Sequence, residues 1–340
     1  MSGAPAVCIL PRLQGVGGPA SFRARLIAGM QARGIPLVND PADPSCQTIL
    51  VIGGTRRLQE LVRARRRGVR IVQRLNGMNW IHRRKFTGLG HFLRSEINNA
   101  VLAFIRRSLA DHIIYQSSFA RTWWQTVYGS VDVPAAVIYN GVDLNQFTPR
   151  GPERQPDDLF RVLLVEGHLG GGNEMGLYNG AELAAMLQKR SPRPVELMVA
   201  GDVPERLRAR LSSRYPHRIT WAGVVGRDAV PAIDRSAHVL FSADLNAACP
   251  NSVIEALACG LPVVSYATGS IPELVQGDAG LVVPWGSNFW KLEPPDIPGL
   301  ADAAWQILNE QDRFRAAARA RAEAAFSVET MVERYLEILR

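Results

Sequence analysis

Short runs of consecutive apolar, mostly β-branched residues recur along the chain and alternate with stretches whose apolar positions return every three or four residues. The runs AVCIL, IPLVN, TILVIGG, VRIVQRLNG, DHIIYQS and AAVIYNG predict six strands before residue 142, separated by helical stretches such as SFRARLIAGMQARG and FARTWWQTVYG. A polar stretch rich in Pro and Gly, FTPRGPERQPDD at 147–158, interrupts the pattern like a linker. A second series then begins: RVLLVEG, VELMVAG, RITWAGVV, HVLFSAD, LPVVSYA and AGLVVPW, each followed by a helix or turn. Continuous apolar strands joined by helical crossovers predict parallel sheets covered on both faces. The expected class is therefore α/β, with two doubly wound, Rossmann-like domains at 1–150 and 159–326 and ligand at the carboxyl ends of their strands. The last stretch, SVETMVERYLEILR at 327–340, is amphipathic at helical spacing.

With 340 residues, 47% of them hydrophobic, the chain buries sizeable cores, and two domains of ordinary size fit its length. Its net charge of +8 is uneven. Residues 1–150 hold 20 Lys and Arg against 7 Asp and Glu, whereas the remainder holds 19 against 24. A basic first half suggests an anionic partner, such as a membrane surface or an acidic acceptor. Nucleic acid is not expected: the basic run RRLQELVRARRRGVR at 56–70 reads as a solvated helix entering a strand, with no interleaved aromatics and no nucleic-acid motif nearby. Cys8, Cys46, Cys249 and Cys259 form no CxxC pair, and the last two bracket a helix roughly 15 Å long, too far apart for a disulfide. With no basic leader and no apolar run of about 18 residues, the sequence is expected to be cytoplasmic.

Within this pattern, PNSVIEALACGLPVV at 250–264 reads as a two-turn helix. Pro250, Asn251 and Ser252 start it, Val253, Ile254, Leu257 and Ala258 give its apolar face, Gly260 suits a left-handed stop, and Pro262 prevents continuation. Glu255 shares the face of Asn251 and Ser252, which predicts a carboxylate turned to solvent or to a cleft. Three loops at predicted strand ends are glycine-rich. LQGVGGPASF offers Gly15, Gly17 and Gly18 ahead of a helix, without the GxGxxG spacing, so a tight turn and an anion cradle both fit it. VEGHLGGGNEMG brings together Gly170, Gly171 and Gly172, a run that suits close backbone approach to a ligand. SYATGSIPELV places Thr268, Gly269 and Ser270 between a strand and a helix, with Ser270 and Glu273 at capping-box spacing.

On these residues the chain resembles glycosyltransferase family 4, the retaining nucleotide-sugar enzymes of the GT-B fold. NSVIEALACGLPVVSYATGSIPELVQGDAGLVV is similar to the family's C-terminal signature, YNGVDLNQFTP to its Asn-Gly-Val-Asp junction between domains, and GVGGPASFRARLIAGMQARGI to its N-terminal glycine loop and first helix. The resemblance implies two domains facing across a cleft, the first on the acceptor side and the second holding the donor, with 327–340 returning toward the first. It also implies that Glu255 binds the donor's ribose hydroxyls. The sequence departs from the family where a second glutamate usually contacts the transferred sugar, a position occupied by Ala247, and where an arginine and a lysine usually neutralise the leaving diphosphate, matched here by His168 and Asn173. Substitutes for the two missing cations are the glycine-run amides and His168, with Arg12, Arg23 and Arg74 on the first domain as further candidates.

The expected catalytic set is thus His168, Asn76 and Asp244, with Asn246 beside Asp244 as a sugar contact and His82 close to Asn76 and Gly77. The expected donor set is Glu255, Asn251, Ser252, Thr268, Gly269, Ser270, Gly170, Gly171, Gly172, Asn173, Gly17 and Gly18. Neither a metal nor another cofactor is expected. Expected partners are a nucleotide-diphosphate sugar donor and a glycan or lipid-linked acceptor. Residues 80–108 mix Trp80, Phe86, Leu89, Phe92, Leu93, Leu102 and Phe104 with Arg and Lys, a composition shared by core-packed helices and by helices that dock peripherally on an anionic membrane. A non-catalytic protein that binds a nucleotide sugar or glycan as sensor or scaffold is the alternative reading.

Overall fold

The computed structural model describes residues 6–340 apart from 14, 16, 87, 171–173 and 216. The chain divides into two compact units, Met1–Gly141 with Val328–Arg340, and Val142–Ser327.

In the first unit, β1 (Ala6–Leu10), α1 (Gly18–Ala32), β2 (Leu37–Val38), β3 (Cys46–Ile52), α2 (Leu58–Arg66), β4 (Arg70–Leu75), α3 (Leu89–Phe104), β5 (His112–Tyr115), α4 (Ser118–Tyr128) and β6 (Ala135–Val137) follow one another. The sheet order is β2-β1-β3-β4-β5-β6, every neighbouring pair parallel. Alternation along the strands explains why the runs are apolar throughout. Val7, Ile9, Leu50 and Ile52 enter one core with Phe22 and Leu26 of α1, while Cys8, Leu10, Ile49 and Val51 enter another with Leu61 and Ala64 of α2.

The second unit runs β7 (Phe160–His168), α5 (Glu174–Arg190), β8 (Val195–Asp202), α6 (Glu205–Arg214), β9 (Arg218–Gly223), α7 (Val230–Arg235), β10 (Val239–Ser242), α8 (Asn251–Ala258), β11 (Val263–Tyr266), α9 (Ile271–Leu274), β12 (Gly280–Val283), α10 (Ile297–Asn309) and α11 (Gln311–Ala325). Its sheet is parallel in the order β12-β11-β10-β7-β8-β9. The last helix, α12 (Val328–Leu339), returns to the first unit and packs on α1, its Tyr335 ring 5.2 Å from that of Phe22.

In each sheet the strand order reverses once, beside β1 in the first unit and between β7 and β10 in the second. Those are the points where loops leaving the carboxyl ends diverge and open a crevice. The polar stretch at 147–158 is built onto the second unit: Arg235 pairs with Glu153 at 2.6 Å and Arg319 donates to the Phe147 carbonyl at 2.8 Å. All four cysteines are buried and none is in a disulfide. Among the described residues no helix is long and apolar enough to cross a membrane.

Candidate functional site

Helix α8 leaves the carboxyl end of β10 and is closed as its sequence predicts. Gly260 takes φ 67°, its N–H donates to the Leu257 carbonyl at 3.0 Å, and the Leu261 N–H donates to the Ala256 carbonyl at 2.8 Å, the two bonds of a Schellman stop. At the other end the cap residue is Pro250, which has no side chain able to cap the first-turn N–H groups. Those amides and the helix dipole favour a negative charge. Asn251 and Ser252 open the helix half-buried. Glu255, one turn further in, is only 8% exposed. Its spacing leaves both a solvated face and a cleft open. The fold encloses it because α8 is packed between α7 and α11 as well as on β10 and β11. Asp234 of α7 feels its charge: burial first, then Glu255, raises the Asp234 carboxyl well above the carboxylate range.

The loop after β11 is locked to the loop after β10. The Ser270 N–H donates to the Ala247 carbonyl at 2.9 Å. Gly269 has φ 59°, and a Cβ there would lie 2.7 Å from both the N and the O of Ala247, so both the backbone conformation and the space require glycine. Thr268 and Ser270 are buried. Ser270 makes no capping bond with its side chain and has helical backbone angles, so its spacing to Glu273 does not produce a capping box. Next to Ala247, Asn246 is 3% exposed with φ 61°, and both its amide atoms lack hydrogen-bond partners among the described residues, as do the hydroxyls of Ser242 and Ser270. Buried polar atoms are normally paired, so unpaired ones at a strand's carboxyl end mark a place suited to a polar ligand.

On the neighbouring strand, the β7 register places His168 opposite Asp202 of β8, with His168 Nδ1 2.9 Å from Asp202 Oδ2; both side chains are more than half exposed. Gly170 follows, and a Cβ on it would come 3.0 Å from His168 Nε2, so the imidazole stands directly over this backbone. Gly171, Gly172 and Asn173 lie outside the described residues. Glu166, which the sequence did not single out, is half-buried on β7 and feels the charge of Asp244 beyond β10. Asp244 is exposed at the surface, and desolvation by the protein around it pushes its carboxyl up to about 6. Glu166 is raised well above the carboxylate range, first by desolvation and then by Asp244. Two carboxyls so placed hold one negative charge more readily than two. Nothing in the residue pattern singles out Glu166 beyond an acid ending an apolar run, and nothing singles out Asp234.

Residues expected from the first half of the chain belong to the first unit. Gly17 and Gly18 start α1, beside the reversal of strand order at β1, and a Cβ on Gly17 would meet nothing within 4 Å. Asn76 ends β4, where its carboxamide oxygen accepts from Arg74 at 2.7 Å and Gln116 at 2.6 Å and its carbonyl accepts from Trp124 at 2.8 Å. Arg74 is 1% exposed, also donates to Asn140 at 2.6 Å, and lies 3.8 Å over the Phe22 ring; it is a structural cation. His82 is likewise buried, its Nε2 2.7 Å from Glu96. Arg12 reaches the Asn39 carbonyl at 3.3 Å, and Arg23 is half-buried on α1.

Residues 161–310 match the family described as Glycosyl transferases group 1. The chain is similar to the 2-deoxystreptamine N-acetyl-D-glucosaminyltransferase of Streptomyces fradiae, 31% identical over 34% of this chain and 27% of the relative. It is also similar to the phosphatidylinositol N-acetylglucosaminyltransferase gpi3 subunit of Schizosaccharomyces pombe, 24% identical over 64% of this chain and 44% of the relative. The chain thus spans less than half the length of these curated relatives. Among solved structures, sucrose-phosphate synthase from Thermosynechococcus elongatus superposes with a TM-score of 0.77 at 18% identity, covering 99% of this chain and 98% of that one. Anabaena HepE in complex with UDP-glucose gives 0.70 at 18% identity, covering 98% and 99%. The chain therefore has the GT-B fold, and its residues 161–310 are similar to the family described as Glycosyl transferases group 1.

Proposed function

We propose that the chain is a retaining glycosyltransferase of family 4 that moves a sugar from a nucleoside-diphosphate sugar onto a lipid-linked, polysaccharide or small-molecule acceptor. One observation carries this reading: at the carboxyl edge of β7, β10 and β11, an uncapped helix start, an enclosed carboxylate one turn inside it and a tightly locked glycine loop meet in neighbouring elements. The first-turn amides of α8 suit a diphosphate, and the Glu255 carboxylate suits two ribose hydroxyls, since an ionised carboxylate is an acceptor only. Asp244 and Asn246 stand where hydroxyls of the transferred sugar would be met, and they take over from the glutamate replaced by Ala247. In the reaction the bond from the anomeric carbon to the diphosphate oxygen breaks. The acceptor oxygen bonds to that carbon from the same face, and its proton passes to the leaving phosphate. The His168 imidazole would donate to the diphosphate in place of one of the missing cations, while Asp202 holds its ring in place. A single well-placed donor to a developing anion is worth about 3 to 4 kcal/mol, so this substitution governs the rate.

Because two of the relatives are named for N-acetylglucosaminyl transfer and another for GDP-mannose-dependent mannosyl transfer, UDP-N-acetylglucosamine and GDP-mannose head the donors to test. We further read the first unit as the acceptor side and the protein as working in the cytoplasm, peripherally on an anionic membrane surface. The second reading, a nucleotide-sugar sensor or scaffold without turnover, is favoured by Ala247 and by an Asp202 that offsets His168. Release of sugar or nucleotide from a panel of UDP-, GDP- and ADP-sugars, run beside a thermal-shift screen, separates the two. Turnover supports the transferase, stabilisation without turnover supports the sensor, and neither from any donor refutes both. A ligand at about 100 times its dissociation constant adds about 2.7 kcal/mol of stability, an easily read shift.

A further inference from the structure

Helix α3 of the first unit is inside out. Of the eight large hydrophobic side chains exposed among the described residues, six lie between 86 and 104: Phe86, Leu89, Phe92, Leu93, Ile97 and Phe104. Leu89, Leu93, Ile97, Ala100 and Phe104 follow spacings of four, four, three and four, which at about 100° per residue confines them to an arc of about 80°. They form one outward ridge about 22 Å long, at 1.5 Å per residue. Leu89 is 67% exposed and Ile97 61%.

The inward face is polar and fixes this orientation. Ser95 and Asn99 are the buried residues of α3. Asn99 accepts from the Asn79 N–H at 3.0 Å and donates to the Asn79 carbonyl at 2.8 Å. Glu96 takes His82 at 2.7 Å and Arg83 at 2.6 Å, and these two hold its carboxyl down at about 2. Rotating the helix to bury the ridge would break these pairs, so the exposed apolar stripe belongs to the folded state. A contiguous patch of this kind marks an interaction surface.

Charge selects the occupant. Arg84, Lys85 and Arg94 flank the ridge, all exposed, and Arg107 lies just beyond its end. The one acid on the helix, Glu96, is already neutralised. A second copy of the chain would bring the same cations onto the same ridge, because a two-fold interface sets each patch against itself. An anionic bilayer offers apolar depth for the ridge and phosphate for the rim together. We propose that α3 is the docking surface by which the first unit lies on an anionic lipid bilayer, the ridge entering the acyl boundary and Arg84, Lys85 and Arg94 meeting the headgroups. This rests on the transferase reading only in making a lipid-linked acceptor the natural substrate; docking itself needs no transfer.

Vesicle co-sedimentation of the full chain tests it, with phosphatidylcholine vesicles and with vesicles carrying 30% phosphatidylglycerol, at low and high salt. The expected result is binding to the anionic vesicles alone, weakened by salt. Ile97→Glu should reduce that binding at least tenfold, because it places a charge where apolar burial is needed. Leu89→Glu should do the same from another turn of the helix. Arg84→Ala with Arg94→Ala should reduce it about twenty-fivefold, at about fivefold per headgroup contact. Unchanged melting temperatures would show that the variants are folded. Binding absent from both vesicle types, equal on both, or unaffected by Ile97→Glu would overturn the proposal. So would a concentration-dependent dimer in sedimentation velocity that Ile97→Glu abolishes, since the ridge would then join copies of the chain. Failure to bind vesicles with nucleotide-sugar turnover intact would remove the docking surface and leave the transferase standing.

Discussion

Glu255→Ala separates the roles open to the enclosed carboxylate. If Glu255 accepts from ribose hydroxyls, its truncation removes hydrogen bonds to a charged acceptor, each worth about 1.5 to 3 kcal/mol. Losing one such contribution raises the nucleotide's dissociation constant by roughly one to two powers of ten. The stability side follows from the surroundings. Asp234, 1% exposed, already suffers from burial and from the Glu255 charge. Removing that charge relieves a repulsion between two buried acids, while alanine is the better helix former. The cost is the volume of one methylene and a carboxyl in a packed position. Glu255→Gln keeps that volume and still drops the charge, so it isolates the electrostatic part. Isothermal titration of UDP, GDP and ADP gives the affinities, and differential scanning calorimetry of the unliganded proteins gives the stabilities. Weakened nucleotide binding with the melting temperature of Glu255→Gln equal to or above the parent's is the expected pair of results. Unchanged affinity for the nucleotide the parent binds would refute the ribose assignment, and a large loss of stability in Glu255→Gln would make the residue one half of a structural ion pair.

The remaining predictions concern neighbouring groups. Because the Asp234 carboxyl is raised in the folded state, its contribution to stability is fully present below the ordinary carboxyl range and is lost as the pH climbs through that range toward its raised value. The melting temperature of Asp234→Asn minus that of the parent should therefore grow between pH 4 and pH 8, and a difference independent of pH would refute the assignment. Asn246→Gly relaxes a left-handed backbone position and should leave stability unchanged or higher by up to about 1 kcal/mol. If its amide meets the sugar, donor-sugar turnover should nonetheless fall at least tenfold, and parental turnover would make the strained residue merely architectural. Arg74→Ala strips Asn76 and Asn140 of a buried cation and should cost at least 3 kcal/mol in chemical denaturation, whereas a loss below 1 kcal/mol would contradict its structural role.

Some of this protein was decided locally and could therefore be read from the sequence. The parallel sheets follow from strands apolar on both faces, since Val7 and Cys8, or Leu50 and Val51, must each find a core on opposite sides. The stop of α8 at Gly260 and the glycine loop at 269 were equally legible, because each depends on a backbone conformation that few residues adopt. Tertiary structure decided what depends on neighbours distant in sequence. The spacing of Glu255 fitted solvent and a cleft equally, and its enclosure came from α7 and α11, contributed by segments on either side of α8. Arg74 and His82 had the chemistry of a site and were claimed by Asn140 and Glu96 instead. Glu166 and Asp244, 78 positions apart, interact because β7 and β10 are neighbours at the reversal of strand order. Helix α3 shows the limit most plainly. Its apolar period says that one face is greasy, and that holds equally for a helix packed in a core and for one laid on a surface. Which face turns inward was set by the hydrogen bonds of Asn99 and Glu96 to residues on a separate loop, and no local pattern encodes those partners.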